Sequence, residues 1–133
     1  MQARQAREDD FERIRALGVG AGYWYLRDLD FAGAEPFWVV VEKDGGEVVG
    51  CLQVCPGVPV GRAEDLAISA GLRKREQIEA VRLLAYRAMA LLKGGGSKIV
   101  QFLIPAHLHA YREILEARGA VLVSNGWLMM KRL

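Results

Sequence analysis

The chain has 133 residues, of which 52% are hydrophobic and 26% are charged, the size and composition of one globular domain. Its 18 Lys and Arg residues against 16 Asp and Glu give a net charge of +2, too balanced for nucleic-acid binding through bulk attraction. The sequence lacks the run of about 18 apolar residues that a membrane span needs, and Met1–Asp10 lacks the apolar core of a signal peptide. We therefore expect one cytoplasmic domain over residues 1–133, with neither a nucleic acid nor a membrane as partner.

The N-terminal part is predicted to contain a strand and two helices. Met1–Arg7 is polar and is expected to form a short edge strand. Asp9 and Glu12 resemble a capping box, and an apolar face at helical spacing follows them, so a helix should begin at Asp9 and end at Gly18. Tyr23–Asp30, which is rich in aromatic residues, is a candidate for a second short helix.

A β-hairpin and a third strand come next. Phe37–Lys43 and Glu47–Val54 are rich in β-branched residues and flank the turn Asp44-Gly45-Gly46, which predicts the hairpin, and Ala63–Ser69 is expected to be a central strand. The remaining elements are a long amphipathic helix over Lys74–Lys93, a strand over Ile99–Ile104, a helix over Leu108–Arg118, and a hairpin of Val121–Val123 with Trp127–Lys131. This order predicts an α/β domain of mixed α+β character, with helices flanking one mixed central sheet.

Three cations, Arg73, Lys74 and Arg75, stand where the long helix should begin. The first backbone N–H groups of a helix are unpaired and carry partial positive charge, so a strand, a basic turn and a helix in this order can bind a phosphate. Cations at a helix N-terminus oppose the helix dipole, which disfavours a purely structural role for them. The alternative is a solvated basic turn.

Acid–base candidates lie before and after this turn. Glu64 or Asp65 can deprotonate an amine through water, but strand alternation lets only one of them face a given side. The alternative is a surface carboxylate or an ion pair with Arg62. His107 and His109 follow the end of a strand, where they can act as acid or base near neutral pH or simply help to begin the last helix.

Residue usage restricts the remaining chemistries. The sequence has no Gly-x-Ser-x-Gly turn, which disfavours a Ser-His-Asp hydrolase. Cys51 and Cys55 would share a face of a regular strand and could form a metal or redox site with the two histidines, although buried apolar thiols are commoner in cytosolic proteins. Threonine is absent and Arg outnumbers Lys, a usage typical of a thermophile or of a GC-rich genome.

The element order, together with the tail Tyr111-Arg112-Glu113-Ile114-Leu115-Glu116-Ala117-Arg118-Gly119-Ala120, resembles the GNAT N-acetyltransferase superfamily. In that superfamily the turn before the long helix binds the diphosphate of acetyl-CoA with the pattern Arg or Gln, two residues, Gly, one residue, then Gly or Ala. Aligned on the strand Leu66–Ile68, this pattern falls on Arg73–Ile78. Glu76 stands where the first glycine is expected, and Ile78 stands where the second small residue is expected.

The resemblance implies acetyl-CoA as co-substrate and an amine acceptor, either a small molecule or a peptide. The implied cofactor-binding residues are Ile68, Ala70, Arg73, Lys74, Arg75, Glu76, Gln77 and Ile78, and the implied catalytic residues are Glu64, His107 and Tyr111. Tyr111 lies one turn before Leu115, the position that aligns with the tyrosine often used to protonate the leaving thiolate. Tyr23, Trp24 and Tyr25 would form the acceptor-side wall or, alternatively, part of the core.

The resemblance leaves two readings of the function open. The first is an acetyl-CoA-dependent N-acetyltransferase, with a homodimer formed through the final strands. The second is a catalytically silent module of the same fold that binds another anionic ligand or a protein partner, which the residues at Glu76, Ile78 and Leu115 favour.

Overall fold

The computed structural model describes residues 1–105, 107–123 and 128–132. Within these residues, seven strands form one sheet in the order β1-β2-β3-β4-β5-β7-β6. The strands are β1 (Gln2–Gln5), β2 (Trp38–Glu42), β3 (Val48–Cys55), β4 (Val60–Ile68), β5 (Ile99–Leu103), β6 (Val121–Leu122) and β7 (Leu128–Arg132). The β4–β5 pair is parallel, whereas the neighbouring pairs on either side of it are antiparallel. The predicted mixed sheet is therefore confirmed, with β1 at its edge.

Helices cover both faces of this sheet. They are α1 (Phe11–Gly20), α2 (Lys74–Gly94) and α3 (His109–Ala117). The apolar side chains of α2 and α3 pack with one face of the sheet, where Leu84, Phe102 and Leu115 are almost fully buried. Those of α1 pack against the other face, around Ile14 and Trp38. This two-faced core is what an α/β domain requires.

The start and the end of α1 both differ from the prediction. The acid that organises the start is Asp10 rather than Asp9, because its carboxylate accepts the Arg7 N–H at 2.7 Å and two hydrogen bonds from the Arg4 guanidinium on β1. Gly18 lies inside α1 instead of ending it. A Cβ at Gly18 would collide with the Leu26 side chain, so this glycine permits a close packing contact rather than a helix stop.

A 3₁₀ turn follows α1, and a pair of antiparallel strands follows α3. The expected helix over Tyr23–Asp30 is a shorter 3₁₀ turn, Trp24–Asp28. The predicted final hairpin is present as the antiparallel pair β6–β7, while its expected turn and Trp127 lie outside the described residues. In the part of the chain that the structure describes, none of the helices combines the length and the apolar character needed to cross a bilayer.

A β-bulge interrupts β4 at Asp65. Glu64 pairs with Gln53 of β3 and Ala67 pairs with Cys51, so Asp65 and Leu66 together oppose Leu52. Asp65 has a φ of 59°, in the left-handed region that residues other than glycine seldom occupy. The expected strict alternation is therefore wrong: Ala63 and Leu66 both pack in the core on the α2 face, and Glu64 and Asp65 between them turn to the α1 side of the sheet.

The strands β4 and β5 part just before this bulge. Their parallel pairing runs from Val60 with Ile99 to Ala63 with Phe102, after which β4 continues to Ile68 with no further β5 partner. The Leu66 carbonyl in this part of β4 accepts a hydrogen bond from the Tyr23 hydroxyl instead. An opening therefore forms between the ends of the two strands, next to the start of α2.

Candidate functional site

Two adjoining cavities lie at the end of β4, beyond the part of that strand that pairs with β5. The first, which we call the α3 cavity, has a volume of about 480 Å³ and lies between the start of α2 and the start of α3. The second, the α1 cavity, has a volume of about 420 Å³ and lies between α1 and the end of β4. Both are lined by Ile68, Gln77, His107 and Leu108, so the two volumes meet at these residues. Adjoining concave volumes of this size suit an elongated ligand.

The end of β4 offers a backbone donor to this space. The Ser69 N–H donates to the Val49 carbonyl at 2.8 Å, and antiparallel strands alternate between hydrogen-bonded and non-hydrogen-bonded pairs. Ile68 and Gly50 therefore form a non-hydrogen-bonded pair, and the Ile68 N–H points away from β3. Ile68 lines both cavities, and the exposed Ala70 lines the α1 cavity.

The N-terminus of α2 forms one wall of the α3 cavity. Lys74, Gln77 and Ile78 line this cavity, and Arg75 lies beside Lys74 along an adjacent open groove. The Gln77 side-chain amide donates to the Leu72 carbonyl at 3.0 Å, which fixes the turn between β4 and α2. The first-turn backbone N–H groups of this helix end carry the positive end of the helix dipole.

Glu76 is directed away from this wall. One of its carboxylate oxygens accepts the Arg73 N–H at 3.1 Å, and the other forms an ion pair with Lys43 at 2.9 Å. Lys43 and the Arg73 N–H hold the pKa of the Glu76 carboxyl below its usual range, so it is ionised at neutral pH. The negative side chain that replaces the expected glycine therefore lies outside both cavities.

Tyr111 is fully buried and lines the α3 cavity. Its ring packs edge-on against Phe102, with 6.2 Å between the centroids, and its hydroxyl has no hydrogen-bond partner among the described residues. Burial raises the pKa of the Tyr111 phenol, which keeps it protonated. A buried hydroxyl without a partner is rare in folded proteins, and here it belongs to the lining of a cavity. Leu115, one turn further on, is a buried core residue.

The two histidines lie at the start of α3. His107 is exposed and lines both cavities, whereas His109 lines the α3 cavity alone. An imidazole at the junction of two cavities is able to exchange a proton with a ligand in either of them.

The acidic residues of the bulge lie to one side of this junction. Asp65 is 9% exposed and accepts a hydrogen bond from the Tyr25 hydroxyl, while Glu64 is half-buried and accepts a bond from the Cys55 thiol at 3.4 Å. Burial raises the pKa of Asp65, and the neighbouring Glu64 adds to the shift. Neither carboxylate lines the two cavities. The Tyr25–Asp65 contact joins residues 40 positions apart, so no local pattern predicts it.

Trp24 of the aromatic segment is exposed to solvent, whereas Cys51 is buried. Trp24 is 75% exposed rather than part of the core. Cys51 is fully buried, and burial raises its pKa to about 12. Among residues 1–105, 107–123 and 128–132, no group of three or more His, Cys, Asp or Glu side chains is placed to hold a metal ion. The metal alternative for Cys51 and Cys55 therefore gains no support from the described residues.

No protein-family model matches this sequence, and a comparison with curated proteins finds no match either. Solved structures do match. The protein yncA of Salmonella typhimurium, solved with its cofactor acetyl-CoA, superposes with a TM-score of 0.76 at 15% identity over 99% of this chain and 93% of its own. Ribosomal-protein-alanine N-acetyltransferase of Brucella melitensis gives 0.66 at 18% identity, covering 100% of both chains.

A third match is N-acetylglutamate synthase of Neisseria gonorrhoeae, complexed with coenzyme A and N-acetyl-glutamate. It has a TM-score of 0.73 at 18% identity over 99% of this chain, which spans about a third (35%) of that synthase chain. All three matches cover at least 99% of this chain, with TM-scores from 0.66 to 0.76. The chain therefore has the GNAT N-acetyltransferase fold.

Proposed function

We propose that this protein binds acetyl-CoA in the α3 cavity and transfers the acetyl group to an amine held in the α1 cavity. The observation that carries the proposal is the Tyr111 hydroxyl, which is buried in the lining of the α3 cavity and has no hydrogen-bond partner among residues 1–105, 107–123 and 128–132. Matching structures that contain coenzyme A or acetyl-CoA support the choice of cofactor.

The cofactor would use backbone donors and the cations of α2. The Ile68 N–H, directed away from β3, and the amide of Ala70, which lines the α1 cavity, would donate to the thioester carbonyl and the pantetheine arm. The diphosphate would rest on the first turn of α2 over Arg73–Ile78, where the unpaired amides and Lys74 and Arg75 supply positive charge. Ile78 contributes apolar lining rather than a close backbone approach.

Transfer would proceed by direct attack of the neutral amine on the thioester carbonyl carbon. The carbonyl oxygen becomes an oxyanion held by the β4 amides, the carbon–sulfur bond then breaks, and the C–N bond remains. Tyr111 donates its proton to the departing thiolate, and the amine nitrogen loses a proton to a base. We assign that base to His107 rather than to Glu64, because His107 lies where the two cavities meet.

The acceptor is proposed only as a class. The synthase in the comparison acts on an amino acid and the ribosomal-protein enzyme acts on a protein alanine, so amino acids and peptides with a free N-terminus are the first amines to test. The dimer through the final strands is likewise a proposal, with β6 at the outer edge of the sheet and Val121 67% exposed on it.

Calorimetric titration with acetyl-CoA, followed by a thiol-release assay over a panel of amines, tests this function. We expect saturable binding with one site per chain and thiol release that depends on an added amine. Binding without release for any amine would favour the silent module, and absence of binding at millimolar acetyl-CoA would contradict the proposal.

A further inference from the structure

Lys43 meets the start of α2 from the β2–β3 turn. Its backbone is fixed in that turn, because its N–H donates to the Glu47 carbonyl at 2.9 Å and its carbonyl accepts the Gly46 N–H at 3.0 Å. Its ammonium group lies 2.9 Å from a carboxylate oxygen of Glu76. The Lys43 side chain is 38% exposed and that of Glu76 is 29% exposed, so water screens the pair only in part.

Glu76 lies in the first turn of α2, where a negative charge affects anion binding. It is the third residue of α2, and its other carboxylate oxygen accepts the Arg73 N–H at 3.1 Å. The carboxylate thus lies beside the unpaired amides that form an anion site at a helix N-terminus. An uncompensated negative charge there would repel a diphosphate.

The side-chain directions around α2 explain how the negative charge of Glu76 is kept out of the α3 cavity. At about 100° per residue, Glu76 lies about 200° around the helix axis from Lys74, which lines the α3 cavity. Gln77 and Ile78 line the cavity with Lys74, whereas Glu76 faces the β2–β3 turn and its lysine. The Lys43 ammonium and the Arg73 N–H together hold the Glu76 carboxylate on that side.

We infer that Lys43 is a positioning residue of the cofactor site: it holds and neutralises Glu76 on the sheet side of α2, so that the first turn can accept a diphosphate although a glutamate replaces glycine there. The inference rests on the proposed binding of acetyl-CoA. It states that Lys43 acts through Glu76 and does not touch the ligand.

This indirect action has a measurable consequence, since the effect of losing Lys43 must depend on the charge at position 76. The binding of coenzyme A, which carries the diphosphate, and of pantetheine, which lacks it, is measured for the wild type, Lys43→Ala, Glu76→Gln and the double variant. Glu76→Gln retains an oxygen that can accept the Arg73 N–H but removes the charge. Lys43→Arg tests rescue by another cation, and Lys98→Ala, at an exposed lysine far along the chain, controls for the loss of one positive charge.

We expect Lys43→Ala to weaken coenzyme A binding about two- to five-fold, the range that fits a partly exposed ion pair. In the Glu76→Gln background, Lys43→Ala should alter coenzyme A binding by less than about 1.5-fold, because position 76 then carries no negative charge for Lys43 to neutralise. Lys43→Arg should restore most of the affinity, and neither Lys98→Ala nor the measurement with pantetheine should show the effect.

Three results would overturn the inference. An equal loss in both backgrounds would mean that Lys43 contacts the phosphates directly. An equal loss for pantetheine and coenzyme A would mean that the substitution disturbs the cavity as a whole. A wild-type protein that binds no coenzyme A would overturn the proposed function together with this inference, whereas normal wild-type binding without coupling overturns the inference alone.

Discussion

The Tyr23 hydroxyl donates a hydrogen bond of 2.9 Å to the Leu66 carbonyl, at the part of β4 that β5 leaves unpaired. This bond attaches the segment after α1 to the strand that forms the floor of both cavities. The opening between β4 and β5 is therefore held at one side by a side chain rather than by a neighbouring strand.

Replacing Tyr23 with Phe removes this bond and leaves the Leu66 carbonyl, a group of the buried strand, without its donor. We expect the free energy of unfolding to fall by about 1–2 kcal/mol, measured by urea denaturation. Tyr86→Phe is a matched control, because the Tyr86 hydroxyl accepts a bond from Arg118 at an exposed site and its loss should cost less than about 0.5 kcal/mol. Equal costs for the two variants would contradict this account of Tyr23.

The left-handed backbone of Asp65 predicts an unusual order of substitutions. Asn tolerates a φ near 59° and keeps an acceptor for the Tyr25 hydroxyl, so Asp65→Asn should retain the fold. Val, which is branched at Cβ, should lower the free energy of unfolding by about 1–3 kcal/mol more than Asn does. Equal stability of the Asn and Val variants in thermal unfolding would mean that the bulge is not strained.

Asp65 also predicts how stability responds to pH. Its pKa is raised in the folded protein by burial and by Glu64, so the folded state binds the proton more tightly than the unfolded state does. Its contribution to stability is therefore present below the ordinary Asp pKa and declines as pH rises toward the raised folded value. The free energy of unfolding of Asp65→Asn should lack this decline, as denaturation at a series of pH values would show.

Asp10 predicts the opposite dependence. Burial raises its pKa, but the hydrogen bonds from Arg4 and from the Arg7 N–H outweigh that effect and lower it. The stability it contributes is present above the ordinary Asp pKa of about 4 and is lost as pH falls through the lowered folded value. Asp10→Asn should cost about 2 kcal/mol at pH 7, and the gap to the wild type should close under acidic conditions. A gap that stays constant with pH would show that the ion pair with Arg4 is not its source.

Tyr111→Phe distinguishes the contribution of the Tyr111 ring to stability from the proposed role of its hydroxyl as the general acid. The ring is retained and the hydroxyl has no partner in the described residues, so thermal stability should be unchanged or slightly higher. If the hydroxyl protonates the leaving thiolate, kcat should fall by about 10²-fold while the dissociation constant for acetyl-CoA stays the same. Unchanged kcat in the presence of a productive amine would remove Tyr111 from the mechanism.

The proposed base is tested by comparing two variants. His107→Gln should lower kcat/KM by about 10²-fold, whereas Glu64→Gln should have a much smaller effect, because His107 lines both cavities and Glu64 lines neither. Steady-state kinetics over pH 6–9 with one amine is sufficient for the comparison. A larger loss for Glu64→Gln would reverse the assignment.

Local patterns in the sequence predicted the fold well where structure depends on near neighbours. The hairpin around Asp44-Gly45-Gly46 and the long helix beginning at Lys74 follow from turn chemistry and from hydrophobic spacing. The same local logic failed at Gly18, where the deciding contact comes from Leu26. It failed again at Asp65, because a bulge is set by pairing with a neighbouring strand.

The candidate site was predictable in its parts but not in its arrangement. The basic turn and the residues His107 and Tyr111 stand out in the sequence, yet their meeting at one opening depends on where β4 and β5 part. The sequence also could not show that Glu76 forms an ion pair, since its partner Lys43 lies 33 positions earlier in the chain. From its charge alone, Glu76 is expected to repel a diphosphate at the start of α2. The ion pair with Lys43 offsets that negative charge.

Mapping backbone amide chemical shifts during a titration with acetyl-CoA tests the proposed binding site most directly. We predict saturable shifts at Ile68, at Lys74 and Arg75 in the first turn of α2, and at Tyr111, with one ligand per chain. Absence of shifts at millimolar ligand, or shifts confined to residues away from the opening between β4 and β5, would contradict the account.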